Sequence, residues 1–168
     1  SAGWRGDMLR LAQSIQRPCF MNTVSIPPQI DPQLVRIVMI AEALPENPAD
    51  YFYESRNSLY VTNTVLAFNS AGVEVKTIDD ILAKGVYLTV AVKAPRQGLT
   101  VPSEVIREHS FALEAELNQF PNLKVILLMG DAAIKSLNFI AQRVTGGKCI
   151  PTGATYKIRG NEFCFKTM

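Results

Sequence analysis

A carboxylate and an amide stand beside two apolar segments of the chain, and they are the side chains best suited to chemistry. Glu42 follows the apolar run 34–41, and Asn63 ends the β-rich run 59–63. If both runs are neighbouring parallel strands, their carboxyl ends meet at one edge of a sheet, where such folds bind ligands. A carboxylate can activate water, and an amide can recognise the edge of a nucleobase. The pair therefore predicts a site in which the amide recognises a nucleobase and the carboxylate activates water for hydrolysis.

The elements that must position this pair are strands alternating with helices. Strands are predicted at 34–41, 59–63, 86–92 and 124–129, and helices at 4–16, 77–82, 103–120 and 132–144. Nearly continuous apolar runs are typical of strands buried on both faces of a parallel sheet. Alternating residues on either side of Gly160-Asn161, at 155–159 and 162–166, predict a hairpin. We expect one α/β domain over residues 1–168, a three-layer α/β/α arrangement with a mainly parallel four-stranded sheet and a C-terminal hairpin.

Composition limits the classes of protein to consider. The 168 residues are 48% hydrophobic and 19% charged, which suits one compact core, and the net charge of +2 neither requires nor excludes a nucleic-acid partner. Cys19, Cys149 and Cys164 are far apart and lack metal-ligand spacing, so we expect free thiols, a reducing compartment and no metal or other cofactor. The sequence shows neither a membrane-length apolar run nor a secretory signal. We expect a cytoplasmic monomer that does not bind membranes.

Two short motifs resemble a known family. The run Ala41-Glu42-Ala43-Leu44-Pro45 is similar to the Gly-Glu-Ala-Pro-Gly form of a first-strand motif, with Ala for the first Gly and Leu inserted before Pro. The run Tyr60-Val61-Thr62-Asn63-Thr64-Val65-Leu66 is similar to a Leu-Asn-Thr-Val-Leu motif, and Gly130 follows a late apolar strand. In this order, from about Leu34 onward, the chain resembles the uracil-DNA glycosylase superfamily.

The resemblance implies an α/β/α fold, DNA as partner and hydrolysis of the N-glycosidic bond of uracil or a related damaged base. Glu42 would handle the attacking water or offset positive charge on the sugar, with Glu46 and Asp50 as alternatives. Asn63 would accept a hydrogen bond from uracil N3–H and donate one to O4. The remaining roles are stacking on the extruded base, by Tyr51, Phe52 or Tyr53, and contacts with phosphates, by Ser55, Arg56, Lys93, Arg96 and the amides around Gly130.

The chain departs from the superfamily in two respects. The final motif, a His-Pro-Ser or related loop with a catalytic His, would follow the strand at 162–166, but the sequence ends at Met168 and its one histidine, His109, lies in a predicted helix. Either the sequence is truncated before this loop, which we expect, or the protein lacks the loop and is a weak or altered enzyme. The cysteines do not form the set that ligates an iron–sulfur cluster in some subfamilies.

Structural roles compete with these functional ones. Glu42 can cap a helix or form a salt bridge, Asn63 can satisfy backbone groups, and the aromatic residues can pack in the core. Arg56, Lys93 and Arg96 can be solvated surface residues, His109 can be structural, and Gly130 can serve only the turn. Two other functions stay open: a non-catalytic nucleic-acid or nucleotide binding module, and a small-molecule enzyme that shares only the doubly wound architecture. The absence of Gly from residues 44–50 argues against the latter.

Overall fold

A small parallel sheet with helices on both faces organises the chain. The structure, a computed structural model, describes residues 26–27 and 29–165. The predicted helix 4–16, Cys19 and the last residue of the predicted hairpin lie outside this part of the chain. The described elements, in order, are β1 (Ile37–Leu44), a 3-10 turn (Pro48–Asp50), α1 (Leu59–Ser70), α2 (Ile78–Ala83), β2 (Val86–Pro95), α3 (Ser103–Leu117), β3 (Val125–Leu128), α4 (Asp131–Thr145) and α5 (Thr155–Ile158).

The sheet confirms the α/β class and the parallel strands, but it has three strands where the sequence predicts four. Its order is β2-β1-β3, so β1 is central. Ile37 of β1 pairs with Val86 of β2 on one side and with Val125 of β3 on the other, both in parallel register. The apolar runs predicted at 34–41, 86–92 and 124–129 all form strands. The central strand β1 and the strand β2 are largely covered, which is the environment that a nearly continuous apolar run predicts, whereas the edge strand β3 exposes Val125 and Leu127 on one face.

The two faces of the sheet bury separate parts of the core. Val38 and Ile40 of β1 pack with Leu113 of α3 and Leu137 of α4 on one face. Met39, between them in sequence, points to the other face and packs in a second cluster with residues of α1 and α2. This alternation follows from the period of two residues in a strand. Helices therefore pack against both faces of the sheet.

The predicted strand 59–63 is wrong, because these residues begin helix α1. The Ser58 side chain accepts a hydrogen bond from the Val61 N–H, which caps the first turn. The buried or half-buried side chains of Val61, Thr64, Val65 and Phe68 recur at helical spacing. The β-branched residues suggested a strand, but burial of this single stripe against the second cluster decides the conformation.

The predicted C-terminal hairpin is also wrong over the described residues. Thr155–Ile158 form one turn of helix, α5, and residues 161–165 form no regular element. A type I′ hairpin turn at Gly160-Asn161 needs positive φ at both positions. Gly160 has a φ of +80°, but Asn161 does not have a positive φ. Its N–H instead donates to the Ile158 carbonyl oxygen, which extends the local turn.

The other predicted helices are confirmed with small changes at their ends. In α2, Thr77 forms a capping box with Asp80. Helix α3 ends at Leu117 instead of residue 120, and Pro102 is its N-cap residue. Helix α4 is capped at its C-terminus by Gly146 in the left-handed conformation.

Candidate functional site

Glu42 lies near the carboxyl end of β1, on the face of the sheet that α3 and α4 cover. Its Oε1 accepts a hydrogen bond from the Ala132 N–H at 3.3 Å, in the first turn of α4. Its Oε2 lies 3.5 Å from Nη1 of Arg96, just beyond the end of β2. The Glu42 side chain is 33% exposed. The carboxylate therefore bridges three elements at the sheet edge and remains open to solvent on one side.

Gly130 allows this carboxylate to approach the start of α4. A Cβ at position 130 would lie 2.7 Å from both Cγ and Oε1 of Glu42, closer than real Cβ contacts. The φ of +126° at this position is also one that side-chain-bearing residues rarely adopt. Gly130 therefore serves the turn and, in addition, makes room for the Glu42 side chain.

The topology makes this edge the expected ligand site of the fold. From β1 the chain passes to helices on one face of the sheet, whereas from β3 it passes to α4 on the opposite face. Adjacent strands whose connections leave on opposite faces open a crevice outside their carboxyl ends, and open α/β sheets bind ligands there. Glu42 of β1 and Gly130 after β3 lie on the two sides of this crevice. The Glu42 side chain packs against Gly130 at this edge.

Lys93 lies at the same end of β2, but its side chain turns into the protein. Its Nζ forms an ion pair with Oε2 of Glu116 at 2.5 Å and donates to Oγ1 of Thr89 at 2.6 Å. The Lys93 side chain is 16% exposed and the Glu116 side chain is fully buried. An ammonium group already neutralised in this way is poorly suited to hold a phosphate, so the geometry favours a structural role.

Glu116 is the centre of a buried polar cluster that the sequence interpretation missed. Tyr87 donates to its Oε1 at 2.6 Å, and the Thr89 hydroxyl donates to the same oxygen at 2.8 Å. Burial lowers the pKa of Lys93, and the adjacent carboxylate partly counters that shift. Burial and the Glu116 carboxylate raise the pKa of Tyr87. A signal was present in the sequence, because Glu116 falls between Leu113 and Leu117 on the apolar side of the helix, where an unpaired charge is costly.

His109 has the structural role that its place in the sequence predicts. Its Nδ1 accepts a hydrogen bond from the backbone N–H of Lys93 at 3.2 Å, so the neutral ring carries its proton on Nε2. Burial is the main cause that lowers the pKa of His109. The imidazole therefore fixes helix α3 against the end of β2.

The three adjacent aromatic residues mainly cover the free edge of β2. Phe52 is buried in the core, 3% exposed. The Tyr53 hydroxyl donates to the Leu88 carbonyl oxygen at 2.8 Å and accepts from the Leu88 N–H at 2.9 Å, so it satisfies an edge where no further strand pairs in the described chain. Tyr51 is half-buried, with its ring 4.3 Å from that of Phe52. As placed, Phe52 and Tyr53 cannot stack on a base, which supports the packing role.

The remaining site residues predicted from the sequence lie on and before α1. Asn63 is exposed on this helix and not at a strand end, so the structural reason for pairing it with Glu42 is lost. Arg56 forms a surface ion pair with Asp79 at 3.1 Å, and Ser55 is half-buried in the preceding turn. The structure brings together Glu42, Gly130 and Arg96, and it does not bring Asn63, Arg56 or Lys93 into contact with them.

The described residues add two further observations. No helix among them is long and apolar enough to cross a membrane. Within 26–27 and 29–165, no group of three or more His, Cys, Asp or Glu side chains is arranged to hold a metal ion.

Comparisons with models of protein families, with curated proteins and with solved structures give no match to this chain.

Proposed function

We propose that this protein is a DNA-repair hydrolase of the uracil-DNA glycosylase type, which cleaves the N-glycosidic bond of uracil or a related damaged base. The observation that supports the proposal is the partly exposed Glu42 carboxylate in the crevice between the carboxyl ends of β1 and β3. A hydrolase needs a group at this position that orients water and offsets positive charge on the sugar.

The reaction assigns Glu42 a specific step. The damaged base is extruded from the stack, and the bond between its ring nitrogen and sugar C1′ breaks, with the electron pair leaving on the base. Water adds to the oxocarbenium-like C1′ and gives its proton to the Glu42 carboxylate. The exposed side of that carboxylate is the side that water can reach.

Arg96 supplies a switch for this carboxylate. The Arg96 side chain is 42% exposed, its Nη1 lies 3.5 Å from Glu42 Oε2, and its Nε donates to the Gly98 carbonyl oxygen at 3.0 Å. A DNA phosphate at the sheet edge is a stronger, bidentate partner for Arg than a single carboxylate oxygen at this distance. Binding of DNA would therefore draw Arg96 toward the phosphate and leave Glu42 free to bind water.

Base recognition is assigned to Asn63 and stacking to Tyr51. Asn63 is exposed, so its amide is available to a ligand. Tyr51 is the one of the three adjacent aromatic residues whose ring is neither fully buried nor bound through its hydroxyl to β2. These two assignments come from the resemblance to the superfamily, and separate variants test them.

A release assay tests the proposal with matched controls. Uracil-containing single- and double-stranded DNA is incubated with the protein, and alkali then cleaves the abasic sites. Glu42→Gln should abolish release while Glu46→Gln, an exposed carboxylate in the following loop, should not. Asn63→Ala is compared in the same way with Asn57→Ala, an exposed amide two residues before α1. Activity that survives both Glu42→Gln and Asn63→Ala would refute the mechanism.

A non-catalytic nucleic-acid binding module is the second candidate. It is favoured because both carboxylate oxygens of Glu42 already have a partner, the Ala132 N–H for one and Arg96 for the other. A carboxylate with a purely structural role would make the same contacts. This function predicts binding of uracil-containing DNA with no abasic product at any enzyme concentration. The same assay, run beside a binding measurement, separates the two candidates.

A further inference from the structure

A groove outside the crevice has no role in the steps assigned above. It encloses about 270 Å³ between the beginning of α3, the outer side of α4 and the segment 148–153. We refer to it as the α3–α4 groove. One of the residues that line the groove is Asp131, the first residue of α4, which directly follows Gly130. One end of the groove therefore lies at the rim of the crevice that contains Glu42.

The groove has a local excess of positive charge, although the net charge of the chain is small. Arg107, Lys135 and Lys148 line it against a single carboxylate, Asp131, whereas the entire chain has a net charge of only +2. Lys135 pairs with Asp131 at 2.7 Å. Within residues 29–165, neither Arg107 nor Lys148 has a carboxylate within 4.0 Å. Two cations of the groove are therefore available to an anionic partner.

The walls of the groove are held in place before any partner binds. Asn138 of α4 accepts from the Ile150 N–H at 2.9 Å and donates to the Ile150 carbonyl oxygen at 3.0 Å, which fixes the segment 148–153 against the helix. Lys148 donates to the Thr152 hydroxyl at 3.1 Å. The Arg107 guanidinium lies 4.9 Å from the ring centroid of Phe139. Because these groups are already ordered, binding costs little additional conformational entropy.

We infer that the α3–α4 groove binds the phosphodiester backbone of a DNA strand that continues from the crevice. The inference rests on the proposed function for the identity of the polymer. The groove follows α4 from Asp131 to Gln142, a distance of about 16 Å at 1.5 Å per residue. A groove of this length with a cation on each of two walls, Arg107 of α3 and Lys148 of the segment 148–153, matches a chain of phosphates better than one compact anion.

Salt dependence of binding tests this inference. Each phosphate contact with a single strand contributes about −0.7 to the slope of log K against log salt concentration. Arg107→Gln and Lys148→Gln should each reduce the magnitude of the slope by about 0.7, and the double variant by about 1.4. Each lost contact corresponds to an affinity about five-fold lower near 0.1 M salt. Lys84→Gln, an exposed cation at the end of α2 on the other face of the sheet, should leave the slope unchanged.

The experiment uses the full chain and fluorescence anisotropy of a labelled oligothymidine, which contains no uracil, from about 50 to about 200 mM salt. Thermal melts of each variant show that the fold is retained. An unchanged slope in the double variant overturns the inference, as does displacement of the oligonucleotide by polyglutamate of the same charge at the same concentration, which would make the partner an acidic peptide.

Failure of this inference is distinguishable from failure of the proposed function. Because the probe has no scissile base, the predicted change in slope can appear in a protein that never releases uracil. Conversely, normal uracil release together with an unchanged slope in the double variant would leave the hydrolase in place and remove the groove from its DNA-binding surface.

Discussion

Removing the Lys93 ammonium tests the buried polar cluster directly. Lys93→Met retains most of the aliphatic stem but leaves the Glu116 carboxylate with only the Tyr87 and Thr89 hydroxyls as partners. The carboxylate has no exposed surface, so water cannot replace the lost ammonium. The variant therefore places an uncompensated charge between α3 and the sheet.

The expected loss of stability is large. Removing one partner of a buried ion pair lowers the free energy of unfolding by about 3–5 kcal/mol. We expect about 3 kcal/mol for Lys93→Met, because two hydroxyl donors to the carboxylate remain. Replacing the carboxylate as well, in Lys93→Met with Glu116→Gln, removes the charge but keeps an acceptor for both hydroxyls. The double variant should lose only about 1 kcal/mol relative to the unaltered protein.

Urea unfolding followed by circular dichroism measures both variants. With a denaturant slope of about 1.5 kcal/mol per molar, Lys93→Met should lower the midpoint by about 2 M. Lys84→Met, at an exposed position, should change stability by less than about 0.5 kcal/mol. A loss below about 1 kcal/mol in the single variant, or an equal loss in the double variant, would refute the view that charge burial dominates this cluster.

Two further predictions concern the carboxylate at the sheet edge and the buried phenols. Gly130→Ala should cost about 1–3 kcal/mol in urea unfolding, because it adds a Cβ 2.7 Å from the Glu42 side chain at a φ of +126°. Gly153→Ala, which meets nothing within 4 Å, is the control, and equal stability of the two variants would contradict the close approach. Burial raises the pKa of four phenols, those of Tyr51, Tyr53, Tyr60 and Tyr87. The folded chain therefore keeps protons that the unfolded chain loses above about pH 10. The free energy of unfolding should fall as the pH rises beyond that value. Tyrosinate absorbance should show these four phenols ionising only as the protein unfolds in alkali, and their reversible ionisation in the folded protein would contradict their burial.

The sequence predicts the strands of this protein well for a physical reason. Residues 34–41, 86–92 and 124–129 are nearly continuous apolar runs, interrupted only by Arg36, Thr89 and Lys124, and such runs are typical of strands in a parallel sheet. The turn at Gly130 and the helix that follows were predicted from a Gly-Asp pair between an apolar run and a helical pattern. The contact of Glu42 with this turn follows from the parallel arrangement of β1 and β3, so this part of the site was accessible from the sequence.

The errors in prediction arise where tertiary packing overrides local preference. The β-branched residues from Tyr60 to Val65 suggest a strand, but the helical spacing of Val61, Thr64 and Phe68 allows them to pack on the sheet. This one misassignment moved Asn63 to a strand end. The interior position of Lys93 depends on Glu116, which comes from a distant helix, and no local pattern around Lys93 indicates that partner.

Uracil release at matched DNA occupancy tests the proposed hydrolase most directly. The protein and its Glu42→Gln and Glu46→Gln variants are each saturated with uracil-containing single-stranded DNA, and single-turnover formation of abasic sites is followed. We predict release by the unaltered protein and by Glu46→Gln, with a rate at least about 100-fold lower for Glu42→Gln because a positioned proton acceptor contributes at least that factor. Equal rates for all three proteins, or DNA binding without any release, would contradict the proposal that Glu42 activates water in this crevice.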